Sequence, residues 1–268
     1  MKVNFIHEKG IGKNNEDGFL IKNNIWGVFD GATSLNKFTD QTGKTGGLIA
    51  STIAKKVFEK NNKSLKNLAI ETNTKIKKEM EKFNIDITDK LNLWGTNLAV
   101  VKINKDKIKW IQISDATIIF IYKDNSFKVI TEEEQHDKDL LMKWKKLPDK
   151  KDGNLIKILH KQAQSVRRKM NIDYGCLNGE KEAVNFLFEG YEDLKNVKHI
   201  IIFTDGFMIP KEDPAESEPW EWFVEMYLKS GIKKIKKEIR KMEKADPKLH
   251  TYPRIKKHDD ITAISIEI

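Results

Sequence analysis

Carboxylates placed at the ends of apolar runs are the groups in this chain best suited to chemistry. Trp26-Gly27-Val28-Phe29 leads directly into Asp30 and Gly31, and the run from Val197 to Phe203 leads into Thr204, Asp205 and Gly206. Asp259 and Asp260 precede a last alternating apolar run over 261–268, and Glu16 and Asp17 precede Phe19-Leu20-Ile21. Acidic groups gathered at one end of a hydrophobic sheet cost free energy unless a cation or hydrogen-bond donors answer them. The glycines after Asp30 and Asp205 let backbone or ligand come close. No histidine–cysteine cluster has zinc spacing, whereas all-oxygen ligation selects hard cations such as Mg²⁺ or Mn²⁺. Two such ions about 3.5–4 Å apart lower the pKa of a shared water and clamp a phosphoryl group for in-line attack.

For these groups to meet, strands from distant parts of the chain must lie side by side. Asn23-Asn24 is tight-turn chemistry, so a β-hairpin is predicted whose outer ends draw Glu16, Asp17 and Asp30 together. Val3 and Phe5 suggest a short first strand. Helical spacing begins near Thr45 or Gly46 and runs through Leu48, Ile49, Ile53, Val57 and Phe58; a second helix starts near Ser64 with Leu65, Leu68, Ile76 and Met80 on one face. From Trp94 the texture is β, and apolar runs over 98–103, 108–113, 118–122 and 127–130 predict an antiparallel meander. Glu132-Glu133-Glu134 is expected to open a helical region through Leu140, Leu141 and Trp144, followed by a polar break over 148–153 and a helix over 155–170. Asn178-Gly179 marks a turn, 210–219 an acidic loop, and a helix over about 220–243 has an interruption near Ser230-Gly231. No linker or repeat divides the chain, so one domain over 1–268 is expected.

Composition narrows the partners. A hydrophobic fraction of 39% with 33% charged residues fits a globular protein, and no apolar run approaches a membrane span. The start of the chain lacks the apolar core of a secretory signal. Cys176, as the single cysteine, fits a reducing cytoplasm. Lys and Arg total 49 against 40 Asp and Glu, a net charge of +9. With Arg167, Arg168, Arg240 and Arg254 as its arginines and no aromatic-interleaved basic motif, the excess reads as solvated lysine faces rather than a specific nucleic-acid or membrane surface.

The ordered set Asn15-Glu16-Asp17, Val28-Phe29-Asp30-Gly31, Gly95-Thr96, Ser114-Asp115, Asn178-Gly179, Thr204-Asp205-Gly206 and Asp259-Asp260-Ile261-Thr262 resembles the metal-dependent serine/threonine protein phosphatases of the 2C type, in a divergent, bacterial-like form. Each piece alone is unspecific; together they run in family order along essentially the whole chain. The resemblance implies an α+β fold, a four-layer α-β-β-α sandwich of two antiparallel sheets flanked by helix pairs. It implies that Asp30 bridges two Mn²⁺ or Mg²⁺ ions, that the Gly31 carbonyl binds one of them, and that Asp205 and Asp259 complete the shell of the other. Glu16 and Asp17 would hold metal-bound waters, and Asp115 would help a third, weaker ion. The implied activity is hydrolysis of phosphoserine or phosphothreonine in proteins by a water between the ions, without a phosphoenzyme, in a cytoplasmic signalling protein expected to be a monomer.

The sequence departs from the family in substrate handling. Ala32 stands where the family often has a histidine able to protonate the leaving alcohol, and Gly12 where it usually has a phosphate-binding arginine. Lys13, one position on, offers a point charge without the bidentate fork. Ser114-Asp115-Ala116 replaces Gly-Asp-Ser. A catalytically silent member that binds phosphoproteins or a partner therefore stays open. Gly43-Lys44-Thr45 lacks the earlier glycine of a phosphate loop, Phe38 standing there, and reads as a helix start. His258 reads as a partly exposed histidine, His136 and His160 as helix residues, Trp220 and Trp222 as packing at a helix start, and Cys176 as inert.

Overall fold

A computed structural model describes residues 1–130, 136–148 and 154–268. The predicted helix start at Glu132-Glu133-Glu134 and positions 149–153 of the polar break lie outside the described residues. The hairpin forms as its turn chemistry requires. β2 (Gly18–Lys22) and β3 (Ile25–Ala32) pair antiparallel, Lys22 opposite Ile25, and Asn23 takes the left-handed region at φ 51. β4 (Gly95–Asn104) adds to β3 with Asp30 opposite Asn97, β5 (Lys107–Ile113) adds to β4, and β8 (Phe188–Asp193) closes the sheet order β2-β3-β4-β5-β8. The other sheet has the order β1-β10-β9-β6-β7, built from β1 (Lys2–Glu8), β6 (Thr117–Tyr122), β7 (Phe127–Ile130), β9 (Val197–Phe203) and β10 (Ile261–Glu267). All strand pairings in both sheets are antiparallel.

The predicted meander is right in its strands and incomplete in its pairing. β5 and β6 belong to different sheets, and the chain crosses between them at Ser114-Asp115-Ala116. Turn chemistry marks where a strand stops; it does not say whether the next strand folds back or crosses over. β8, unpredicted, is an edge strand whose residues alternate between half-buried and exposed, and its glycine and acidic residues disguise it.

Strand periodicity explains the layers. Along β3, Phe29 faces the helices and Val28 faces the other sheet, so both faces are apolar and the run reads as continuous. α1 (Gly46–Phe58) and α2 (Leu65–Lys82) cover the first sheet, capped by Thr45 and Ser64, and bury Phe58, Leu68 and Ile76 with Phe29 and Trp94. Val101, Phe120, Ile202 and Ile264 fill the space between the sheets. α3 (Lys138–Lys146), α4 (Leu155–Ile158) and α5 (His160–Arg168) form a satellite core around Trp144, whose indole N–H donates to the Leu249 carbonyl at 2.8 Å. The helix predicted over 155–170 is thus two, broken at Leu159, whose backbone leaves helical geometry at φ −103, ψ 37. α6 (Trp220–Ala245) covers the second sheet through Phe223, Ile235 and Ile239, completing the α-β-β-α sandwich. Among the described residues no helix is long and apolar enough to cross a membrane.

α6 is interrupted where predicted. Gly231 takes φ 72, ψ 176, a region only glycine enters readily, and a Cβ there would meet nothing within 4 Å. Gly231→Ala therefore tests backbone strain alone. It is expected to cost about 1–3 kcal/mol, lowering Tm by roughly 2–4 °C per kcal/mol in a thermal melt.

Candidate metal centre

The two sheets deliver their acids to one end of the sandwich. Asp30 comes from β3 in one sheet; Asp205 opens a single 3-10 turn after β9, and Asp259 precedes β10, both in the other. Asp115 sits at the crossover between the sheets. Glu16, Asp30, Gly31, Asp115, Asp205 and Asp259 all line one cleft of about 580 Å³, within the range of small-molecule sites. Asp17 lies just behind them, 6% exposed.

Each acid is held by a specific partner. Thr204 Oγ1 donates to Asp17 Oδ2 at 2.8 Å, and Asn97 Nδ2 donates to Asp115 Oδ1 at 2.8 Å. Thr33 Oγ1 donates to Glu16 Oε1 at 2.7 Å while accepting from the Gly47 N–H at 3.0 Å. Gly31 makes this approach feasible: a Cβ on it would fall 2.4 Å from the Glu16 carbonyl oxygen and 2.5 Å from that of Gly47. Asp260, unlike its neighbour Asp259, is buried and accepts from the Gly10 and Glu16 N–H groups, each at 2.7 Å, so it ties the Glu16 segment to β10.

Crowding of like charge shows in the titration of the cluster. Burial, then repulsion by Asp205, Asp17 and Asp115, holds Asp30 well above the usual carboxylate range. Asp17 is also raised, first by burial and then by Asp205 and Asp259, against hydrogen bonds from Thr204 and Thr262. The surrounding protein, then Asp259 and Asp115, push Asp205 up to about 7. Its side chain is nevertheless open to cleft water, which tempers the repulsion. Asp30 and Asp205 act on each other directly, Asp205 favouring the protonated form of Asp30. Lys256 Nζ stands 2.6 Å from Asp259 Oδ1. Packing opposes its charge, but Asp259, Asp205 and Asp30 outweigh that and keep the ammonium above its usual range.

Hard divalent ions fit this set in donor type and in charge, since its carboxylates repel one another and present oxygen alone. As the side chains stand, no three or more His, Cys, Asp or Glu among the described residues close around one ion. Asp205 repels the charged form of Asp30, and Lys256 holds Asp259.

The other sequence candidates fall elsewhere. Lys13 is exposed with its ammonium beside Gly43, and it is not among the cleft-lining residues; Gly12 is exposed too. The cleft wall instead carries Arg167, whose Nη2 donates to the Thr33 carbonyl at 3.0 Å, together with Lys256. Neither was legible beforehand: Arg167 lies on a basic helix face and Lys256 in an irregular segment. His136 precedes α3 rather than lying in a helix, and stacks on Tyr174 with ring centroids 4.1 Å apart. His258 pairs with buried Glu243 at 2.8 Å. Burial pushes the Cys176 thiol up to about 12 despite Arg167, so it is no nucleophile.

The chain has the fold of bacterial serine/threonine phosphatases. It superposes on the serine/threonine phosphatase PstP/Ppp of Mycobacterium tuberculosis with a TM-score of 0.60, covering 100% of this chain and 98% of that one at 14% identity. The catalytic domain of PstP in complex with two manganese ions gives 0.57, covering 99% and 97% at 13% identity. Stp1 from Staphylococcus aureus gives 0.58, covering 100% and 94% at 13% identity. No protein-family model matches the chain, and no curated protein matches it by sequence.

Two outcomes follow from the cleft's strain and charge. Ser114 holds φ 61, and its Oγ is buried with no hydrogen-bond partner among the described residues. Ser114→Gly relieves both and is expected to raise stability by up to about 1 kcal/mol in a denaturant titration. The raised acids bind protons more tightly folded than unfolded. Their contribution to stability is complete below the ordinary value of 3.8 and lost as pH rises through about 7. Metal-stripped protein should therefore melt lower at pH ~8 than at ~5, and Asp205→Asn should flatten that slope.

Proposed function

We propose that this chain is a Mg²⁺/Mn²⁺-dependent phosphomonoester hydrolase acting on phosphoserine or phosphothreonine in proteins. The observation that carries it is the convergence of Asp30 from one sheet with Asp205 and Asp259 from the other in a single cleft. Asp30, the Gly31 carbonyl, Asp205 and Asp259 would hold two ions, Glu16 and Asp17 the waters around them, and Asp115 a third, weaker ion. Ions held there supply the Lewis acidity that ionises a water near neutral pH and neutralises phosphoryl oxygens. The protein's own part is positional. Thr33, Thr204 and Asn97 fix the orientations of Glu16, Asp17 and Asp115. Arg167, rather than Lys13, brings to the wall the planar fork that suits a phosphate. Ala32 puts no proton donor beside Asp30, which favours substrates whose leaving group departs readily. The wider reading, one domain acting as a cytoplasmic monomer without nucleic-acid or membrane partners, rests on the sequence.

A second reading, a silent member that binds phosphoproteins, draws support from the Lys256–Asp259 contact. Mn²⁺-dependent hydrolysis of p-nitrophenyl phosphate separates the two. The active enzyme turns over, and Asp30→Asn or Asp205→Asn each lowers kcat/KM by more than about a hundredfold, beyond what partners of the ligands alone cost. Unchanged rates in both variants remove the mechanism. No turnover at saturating Mn²⁺, with phosphopeptide binding retained, establishes the silent reading.

A further inference from the structure

We propose that Lys256 is a tethered counter-ion for the candidate metal ligands, bonded to Asp259 until a divalent ion displaces it. This role presupposes the metal-binding half of the function proposed above. Asp259 Oδ1 accepts from two donors at once, the Lys256 ammonium at 2.6 Å and the Asp260 N–H at 2.8 Å. The arginines near the centre are committed elsewhere, and Lys37 and Lys257, which also line the cleft, have no ion pair with a candidate ligand among the described residues. Arg240 is bonded to Glu8, Glu243 and the backbone carbonyl of Asp259. Arg254 is bonded to Asp246, and Arg167 to the Thr33 carbonyl. Among the described residues, Lys256 is thus the cationic side chain paired with a candidate ligand's carboxylate.

The pairing is built to be reversible. The side chain of Lys256 is 41% exposed, on a flexible four-carbon stem, so leaving Asp259 moves the ammonium into cleft water rather than through packed protein. An ammonium and a divalent ion on the same carboxylate repel each other strongly at these distances. The two occupancies therefore compete, and whatever free energy the lysine contact contributes to the ion-free chain is subtracted from its metal affinity. The Asp260 N–H has no such conflict, because it is fixed in the backbone and neutral.

Opposite signs distinguish this role from the alternatives. Removing a merely structural lysine weakens the ion-free and the metal-bound protein alike, and removing a phosphate-binding lysine leaves Mn²⁺ affinity unchanged. Calorimetric titration with Mn²⁺, paired with melts in chelator and in Mn²⁺, would be run on wild type, Lys256→Met, Lys256→Gln and Lys256→Arg. The two neutral variants are expected to bind Mn²⁺ roughly ten- to a hundredfold more tightly, the span over which groups touching a metal ligand act. They should also melt lower in chelator and gain more from Mn²⁺, while Lys256→Arg stays near wild type. Wild type binding Mn²⁺ with the folded neutral variants no tighter overturns the tethered role and leaves the metal centre standing. Absence of Mn²⁺ binding in wild type and neutral variants alike removes the metal centre and the role together.

Discussion

Asp30 and Asp205 come from different sheets, and bringing their carboxyls into one cleft sets like charges against each other. That repulsion is the constraint the rest of the molecule accommodates. Two stacked sheets with an apolar seam of Val101, Phe120, Ile202 and Ile264 hold the acids in place. Helices on both outer faces keep the sheets from splaying. Hydrophobic burial is non-directional and large; here it is spent on holding together groups that would otherwise separate.

How far this was legible in the sequence varies with the kind of information involved. Local chemistry could be read directly: Asn23-Asn24 for the hairpin turn, Thr45 and Ser64 at helix starts, and Ser230-Gly231 for the break in α6. The α-β-β-α layering came from the resemblance rather than from any periodicity, because a strand buried on both faces carries no alternation. The sheet switch at Ser114 and the edge strand β8 were hidden, since pairing partners are long-range facts that turn residues do not encode. Within the centre, the acids stood out by sitting at the ends of apolar runs. The residues that steady them did not: Asn97, Thr33 and Asp260 act through one or two hydrogen bonds across the fold, and nothing in their spacing announces it.

The cations tell a related story. Where the sequence offers Gly12 and Lys13, the fold places Arg167 and Lys256 on the cleft wall instead. A positive charge near a phosphate or an acid can arrive from any element that reaches the site, so its position along the chain is weakly constrained. Carboxylates that must share an ion are constrained far more tightly, by distance to one another. That asymmetry is why the acidic half of the centre was readable and the basic half was not.

The pairing of β1 with β10 has a consequence for biosynthesis. β10 lies between β1 and β9, and His7 reaches Thr262, 255 positions along, at 2.9 Å. During synthesis β1 must therefore wait, unpaired along that edge, until the stretch through β10 has been made. Long-range pairing of this sort is intrinsically slow and leaves sticky edges exposed meanwhile. Asp259 joins the other acids only when that late strand docks, so the centre is complete no earlier than the sheet.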